Sequence, residues 1–158
     1  MSLLLRDATL DDAGLIAGFV HALAVYENLE HEANATEADF HTALQQGHIG
    51  ALIAERDGKP VGFALWYFTF STFVGRRGLY LEDIFVEPAH RGAGIGRAIF
   101  RDLARRAVAL GCRRMEWSVL DWNTPAVNFY RALGARPMDE WTVQRLDGDA
   151  LTSLAAGP

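Results

Sequence analysis

A single cysteine, Cys112, stands among 158 residues, which excludes a disulfide framework and a thiolate metal cluster. Placed just after a helix, it reads as a buried small residue, and a reducing cytoplasm is the expected compartment. No apolar run approaches the ~20 residues that a membrane-spanning helix needs. The opening Met-Ser-Leu-Leu-Leu-Arg is too short for a signal peptide. Basic residues are in deficit, 15 against 20 acidic, giving a net charge of −5. That balance disfavours nucleic acid as a main partner and is compatible with a cationic substrate, and with no apolar run of spanning length no membrane partner is expected. The five histidines (His21, His31, His41, His48, His90) lack metal-ligand spacing, so no metal site is expected. Internal repeats, low-complexity tracts and linkers are also missing, and the length fits one domain over 1–158.

What is present centres on Leu79 to Leu110. This stretch reads as a buried strand (Leu79 to Val86), a break at Glu87-Pro88, a glycine-rich turn (Arg91 to Gly96) and a long helix closed by Gly111. Gly92, Gly94 and Gly96 fall where backbone N–H groups must approach something closely. Amides at a helix N-terminus have no partners within the helix and carry partial positive charge, so a phosphate-bearing cofactor is the natural guest. A dinucleotide fingerprint is excluded because Arg97 replaces its third glycine and the motif lies past the midpoint of the chain. A Walker loop is excluded because no Gly-Lys-Ser/Thr run exists.

Periodicity places the other elements. Leu3 to Ala8 reads as a strand, and Thr9 caps a helix with apolar face Ile16, Phe19, Val20 and Leu23, ending near Tyr26-Glu27. Thr36 opens a shorter helix (Phe40, Ala43, Leu44), ended by Gly47. Strands Ile49 to Arg56 and Pro60 to Thr69 flank the hairpin signal Asp57-Gly58, and Ser71 to Gly78 reads as a loop. Arg114 to Leu120 reads as a strand. Asn123 and Pro125 open a helix from Ala126 to Leu133 that closes at Gly134. Trp141 to Leu146 reads as a last strand, and a short helix follows Asp149. The order β-α-α-β-β-β-α-β-α-β implies a mixed sheet covered by helices on both faces.

The run Arg91-Gly92-x-Gly94-x-Gly96-Arg97 after an acidic-apolar strand resembles the pyrophosphate loop of the GCN5-related N-acetyltransferase (GNAT) superfamily. Further stretches resemble its spermidine/spermine (diamine) N-acetyltransferase branch. They are Leu23-Ala24-x-Tyr26-Glu27, Val61-Gly62-Phe63-Ala64, Tyr67-Phe68-Thr69, Leu79-Tyr80-Leu81-Glu82-Asp83-x-Phe85-Val86 and Trp122-Asn123-x-Pro125-x-x-Asn128-Phe129-Tyr130. That branch includes enzymes for amino-acid-like amines such as thialysine. The resemblance implies an α/β acetyltransferase fold with a mixed, mostly antiparallel sheet whose fourth and fifth strands splay apart. It implies acetyl-CoA as cosubstrate, a small-molecule amine as acceptor and a homodimer, with the aromatic excess from Phe63 to Phe73 available to an interface.

The resemblance also implies roles. Ile84, Phe85 and Val86 line the cofactor with the turn residues Arg91, Gly92, Ala93, Gly94, Ile95, Gly96 and Arg97. Asn123, Pro125, Ala126 and Tyr130 extend that contact. An alkyl ammonium has a pKa of roughly 10.4 and must lose a proton before it attacks a thioester. Glu82 is the candidate acceptor of that proton, directly or through water, and Tyr130 the candidate acid for the departing thiolate. The oxyanion donor is expected to be the N–H of Ile84 or a neighbour. Strand alternation puts Glu82 and Asp83 on opposite faces, so both cannot face the core. Tyr26, Glu27, Glu82, Asp83 and Trp141 are the acceptor-binding candidates, and Glu30, Glu32 and Asp139 could add negative charge. The first expectation is a di- or polyamine acceptor. The alternatives are an amino-acid-type amine, whose carboxylate would need a cation such as Arg76 or Arg77, and a non-catalytic acetyl-CoA-binding module.

Overall fold

The computed structural model describes residues 2–158. Its strands are β1 (Leu3–Asp7), β2 (Gly50–Arg56), β3 (Lys59–Ser71), β4 (Arg76–Val86) and β5 (Met115–Glu116). Its helices are α1 (Ala13–Tyr26), α2 (Glu37–Gln45), α3 (Ile95–Ala109), α4 (Thr124–Ala132) and α5 (Gly148–Ala156). The chain divides into two compact units, one ending at Ser118 and one covering Val119–Pro158.

In the first unit the sheet order is β1-β2-β3-β4-β5, antiparallel throughout except for the parallel β4–β5 pair. One face carries Ala51, Ile53, Phe63, Leu65 and Phe85 against Ile16 and Phe19 of α1. The i, i+3, i+4, i+7 spacing aims that helix face at the sheet, and Val20 and Leu23 pack at its margin together with Phe40 and Leu44 of α2. Phe19 stacks on Phe63 at 5.4 Å between centroids and tilts against Phe85 at 6.2 Å. Burying a large apolar side chain contributes roughly 1.5–3 kcal/mol, against ~0–1 for a surface ion pair, so this cluster dominates the unit's stability. The opposite face carries Trp66, Leu79 and Leu81. Here Arg106 of α3 lies over the Trp66 ring at 5.1 Å and bonds Asp7 and Asp102.

Local capping follows the sequence. Thr36 Oγ1 accepts from the Asp39 amide while Asp39 accepts from the Thr36 amide at 2.8 Å. Arg6 of β1 forks onto both Asp12 oxygens, at 2.8 and 3.0 Å, and reaches Glu55 at 2.7 Å, tying the start of α1 to the sheet.

Four expectations are corrected. Ser71 to Gly78 is not a loop, because β3 runs to Ser71 and β4 begins at Arg76, so only the tip 72–75 turns. Arg114 to Leu120 is a strand only at Met115–Glu116, where a ladder partner exists. Trp141 to Leu146 forms no strand. Its apolar residues Trp141, Val143 and Leu146 are exposed, and alternation without a ladder does not make a sheet. The order therefore ends in two helices, α4 and α5, with α5 on the segment expected to be helical. Finally, Glu82 interrupts the alternation of β4. Leu65 pairs with Asp83 and Trp66 with Leu81, so Glu82 is the extra residue of a β-bulge.

Among the described residues no helix is long and apolar enough to cross a membrane.

Candidate active site

The β4–β5 ladder lasts for two pairs, Leu79↔Met115 and Tyr80↔Glu116. From Leu81 to Val86, β4 has β3 on one side and no strand on the other among the described residues. Which amides face the open side follows from the bonds at both ends. The Leu79 amide points to β5, donating to Arg114 O at 3.1 Å, and the Glu87 amide points to β3, donating to Val61 O at 2.9 Å. Counting back from Glu87, Ile84 and Val86 turn their amides outward, and the one-residue mismatch with Leu79 is taken up by the bulge at Glu82. Arg91 Nε donates to the outward Val86 carbonyl at 2.8 Å, as this parity requires.

The glycine turn follows a short 3-10 turn at Pro88–His90. Gly92 and Gly94 have φ of 79° and 80°, left-handed values that glycine adopts without strain, and Gly94 is the N-cap of α3. A Cβ at either position would meet nothing within 4 Å, so the space above the turn is open. Gly96 differs from the expectation: it lies inside the first turn of α3 without a positive φ. The first amide to close a helical bond is that of Ala98, to Gly94 O at 3.0 Å. Among the described residues no protein acceptor takes the amides from Gly92 to Arg97. A row of unpaired N–H groups at the start of a fifteen-residue helix, with Gly92, Ala93, Gly94 and Arg97 exposed, fits a diphosphate. The Arg91 guanidinium lies over the rings of Tyr26, at 4.8 Å, and Phe85, at 5.4 Å.

Beside this turn, on the α1 face of the sheet, acidic and aromatic groups converge. Asp83 is half-buried, and burial pushes its carboxyl up to about 6, with the charges of Glu82 and Glu27 adding to the shift. Glu27, the C-cap of α1, is also raised by burial, while Glu82 is exposed. Glu82 and Asp83 are thus not both core-facing, but the bulge produces this outcome and simple alternation does not. Two residues absent from the sequence expectations join them. Tyr67 and Tyr80 stack at 5.1 Å, and the Tyr67 phenol is raised by burial and then by the charge of Glu82. The Tyr80 hydroxyl and Ser118 Oγ are 2.8 Å apart, a bond across the end of the β4–β5 ladder. The signal available for Tyr67 was its period-two placement with Phe63 and Leu65. Tyr80 carried no such periodic signal, because the bulge reverses its relation to Asp83.

The second unit carries the remaining candidates. Asn123 is buried, and its Oδ1 accepts from the Ala126 amide at 3.4 Å with Pro125 in the first turn, the cap that the sequence suggested. Tyr130 is half-buried on α4 with its ring 5.7 Å from Phe129, and its carbonyl accepts from Ala135 at 3.1 Å. Trp141 lies on the irregular segment after α4, 76% exposed. Among the described residues no group of three or more His, Cys, Asp or Glu could hold a metal ion.

The chain matches the Acetyltransferase (GNAT) family over residues 14–135. It is 39% identical to the thialysine N-epsilon-acetyltransferase of Sus scrofa, with 98% of each chain covered. It is 32% identical to the human spermidine/spermine N(1)-acetyltransferase-like protein 1 over 96% of this chain but 23% of that one. Of these two likenesses the thialysine one is stronger, which shifts the expected branch away from polyamine enzymes. Among solved structures, an integron cassette protein from the V. cholerae mobile metagenome superposes with a TM-score of 0.81 at 26% identity, covering 98% of both chains. With the splayed β4–β5 pair and the open glycine turn, these matches lead to one conclusion: the chain belongs to the GNAT acetyltransferase family and is an acetyl-CoA-dependent acyltransferase acting on a small amine.

Proposed function

We propose that the acceptor is an amino-acid-type amine, the terminal amino group of thialysine or a lysine-like side chain. The observation that carries this reading is the 39% identity to a thialysine N-epsilon-acetyltransferase over 98% of both chains. The acidic-aromatic cluster supports it, since Glu27, Glu82 and Asp83 beside the Tyr67–Tyr80 stack suit a cationic alkyl amine.

Bound acetyl-CoA supplies an acetyl group activated as a thioester. Under this reading the unpaired amides from Gly92 to Arg97 hold its diphosphate, and the outward Ile84 and Val86 amides serve the acyl and pantetheine end. Ile84 N–H donates to the acyl oxygen as negative charge develops there. Glu82 removes the proton that keeps the ammonium from attacking, through water, and its exposed position on the bulge suits that exchange with solvent. Once the amine nitrogen has bonded to the acyl carbon, the C–S bond would break and Tyr130 would give its phenolic proton to the leaving thiolate. Under this reading 1–158 is one N-acetyltransferase domain.

The test is a panel of amines with and without an α-carboxylate, incubated with acetyl-CoA while free CoA is followed with a thiol reagent. Thialysine, lysine and ornithine are expected to outperform spermidine and putrescine in kcat/KM. A preference for the polyamines would return the acceptor to that class, and no thiol release with any amine would leave a binding module.

A further inference from the structure

An amino-acid acceptor brings a carboxylate as well as an amine, and the register of the sheet decides which cations can meet it. On β3 and β4 the pairs Ser71↔Arg76, Thr69↔Gly78 and Tyr67↔Tyr80 share one face, and Phe70↔Arg77, Phe68↔Leu79 and Trp66↔Leu81 share the other. Tyr67 lies on the face of Leu65 and Phe63, the α1 side, because residues two apart on a strand share a face. Arg76 therefore lies on the side of the acidic-aromatic cluster. Arg77 does not: its guanidinium sits over Phe68 at 4.8 Å, on the α3 side.

A second arginine reaches the same place from the neighbouring strand. Glu116 pairs with Tyr80, so Arg114, two residues earlier, lies beside Gly78 on the same face. A Cβ built on Gly78 would come within 3.7 Å of Arg114 Cγ and 2.8 Å of Thr69 Oγ1. Glycine thus leaves the floor between Arg76 and Tyr80 without a side chain of its own, and Arg114 leans over it. Among the described residues Arg76 has no carboxylate partner, and its Nη1 donates to Gly75 O at 3.1 Å. Arg114 is held only loosely, its Nε 3.4 Å from Glu116 in a largely exposed pair. Gly78 and Glu82 are four residue steps apart, roughly 13 Å at ~3.3 Å per residue. The side chains at the two ends shorten that span toward the length of a lysine-like chain, whose methylenes would cross the Tyr67–Tyr80 stack.

We infer that Arg76 and Arg114, bracketing Gly78, bind the α-carboxylate of the acceptor and set the preference for amino acids over simple diamines. This inference rests on the amino-acid reading above.

The test compares thialysine with the diamine left by its decarboxylation, in the wild type and in Arg76→Gln, Arg114→Gln, the double variant and Arg77→Gln. Loss of a charged hydrogen bond is expected to raise KM for thialysine about tenfold in each of the first two and about a hundredfold in the double. KM for the diamine and for acetyl-CoA stays within about twofold, which also verifies folding. Arg77→Gln leaves all three unchanged, and Arg76→Lys recovers part of the loss. A double variant that keeps the wild-type preference for thialysine overturns the inference and leaves the acceptor reading standing. A wild type that does not prefer thialysine to the diamine overturns the acceptor reading itself, and the inference with it.

Discussion

Leu81 and Asp83 lie on opposite faces of the sheet although only Glu82 separates them, Leu81 opposite Trp66 and Asp83 opposite Leu65. A regular strand would place them on the same face. The bulge lets one strand contribute Leu79 and Leu81 to the core under α3 and then Asp83 to the charged cluster at the end of α1. It also leaves Glu82 exposed at the point where β5 has parted from β4.

Glu82→Gln removes the group proposed to collect the ammonium proton. General-base removal typically costs 10²–10⁴-fold, so kcat/KM for the amine is expected to fall by about a hundredfold or more while KM for acetyl-CoA is unchanged. Steady-state kinetics with thialysine as acceptor checks this. A loss under about threefold removes Glu82 from the mechanism.

Tyr130→Phe keeps the ring and its contact with Phe129 but deletes the hydroxyl. Turnover is expected to fall about a hundredfold with acetyl-CoA affinity nearly intact, and more so for an alkyl thioester than for one with a more acidic thiol. Equal losses with both thioesters would argue against proton donation to sulfur.

Gly94→Ala probes the turn. A φ of 80° costs a non-glycine residue about 1–2 kcal/mol, but the new methyl meets no protein atom within 4 Å, so the variant folds with a modestly lower Tm. The methyl would stand in the space assigned to the diphosphate. Calorimetric titration is therefore expected to show acetyl-CoA binding weakened by about tenfold or more. Unchanged affinity would separate the turn from the cofactor.

Asp83→Asn tests the cost of the half-buried carboxylate. Its folded value, about 6, lies above the ordinary 3.8, so the folded chain binds a proton more tightly than the unfolded one. The stability this proton contributes is fully present below about pH 3.8 and is lost as pH rises through about 6, by up to about 3 kcal/mol. Urea unfolding at pH 4 and pH 7.5 should show wild-type stability declining between the two relative to Asp83→Asn, and a parallel dependence would contradict the burial of Asp83.

Much of this was legible in residue order because it depends on local preference. The opening of α2 at Thr36, the apolar face of α1 and the glycine turn before α3 all involve residues within one or two turns of each other. The same holds for Asn123, whose cap on α4 needs only a side-chain oxygen three residues from an orphan amide. Trp141 to Leu146 had the alternation of a strand, yet a strand needs a partner backbone, and the pattern of one segment does not report whether another comes alongside. The bulge at Glu82 was hidden for a related reason: it is a mismatch between two strands, visible only when both registers are known.

By itself the chain's order determined the succession of elements as far as α4 and the chemistry of the turn, since these follow from spacing, glycine and charge within short stretches, while the acetyl-transfer class came from its resemblance to the GNAT superfamily. The tertiary structure decided which side chains share a face: Tyr67 with Tyr80, Asp83 with Glu27, Arg76 and Arg114 but not Arg77. Facing depends on the pairing register across the sheet, and a shift of one residue there turns every later side chain to the other side.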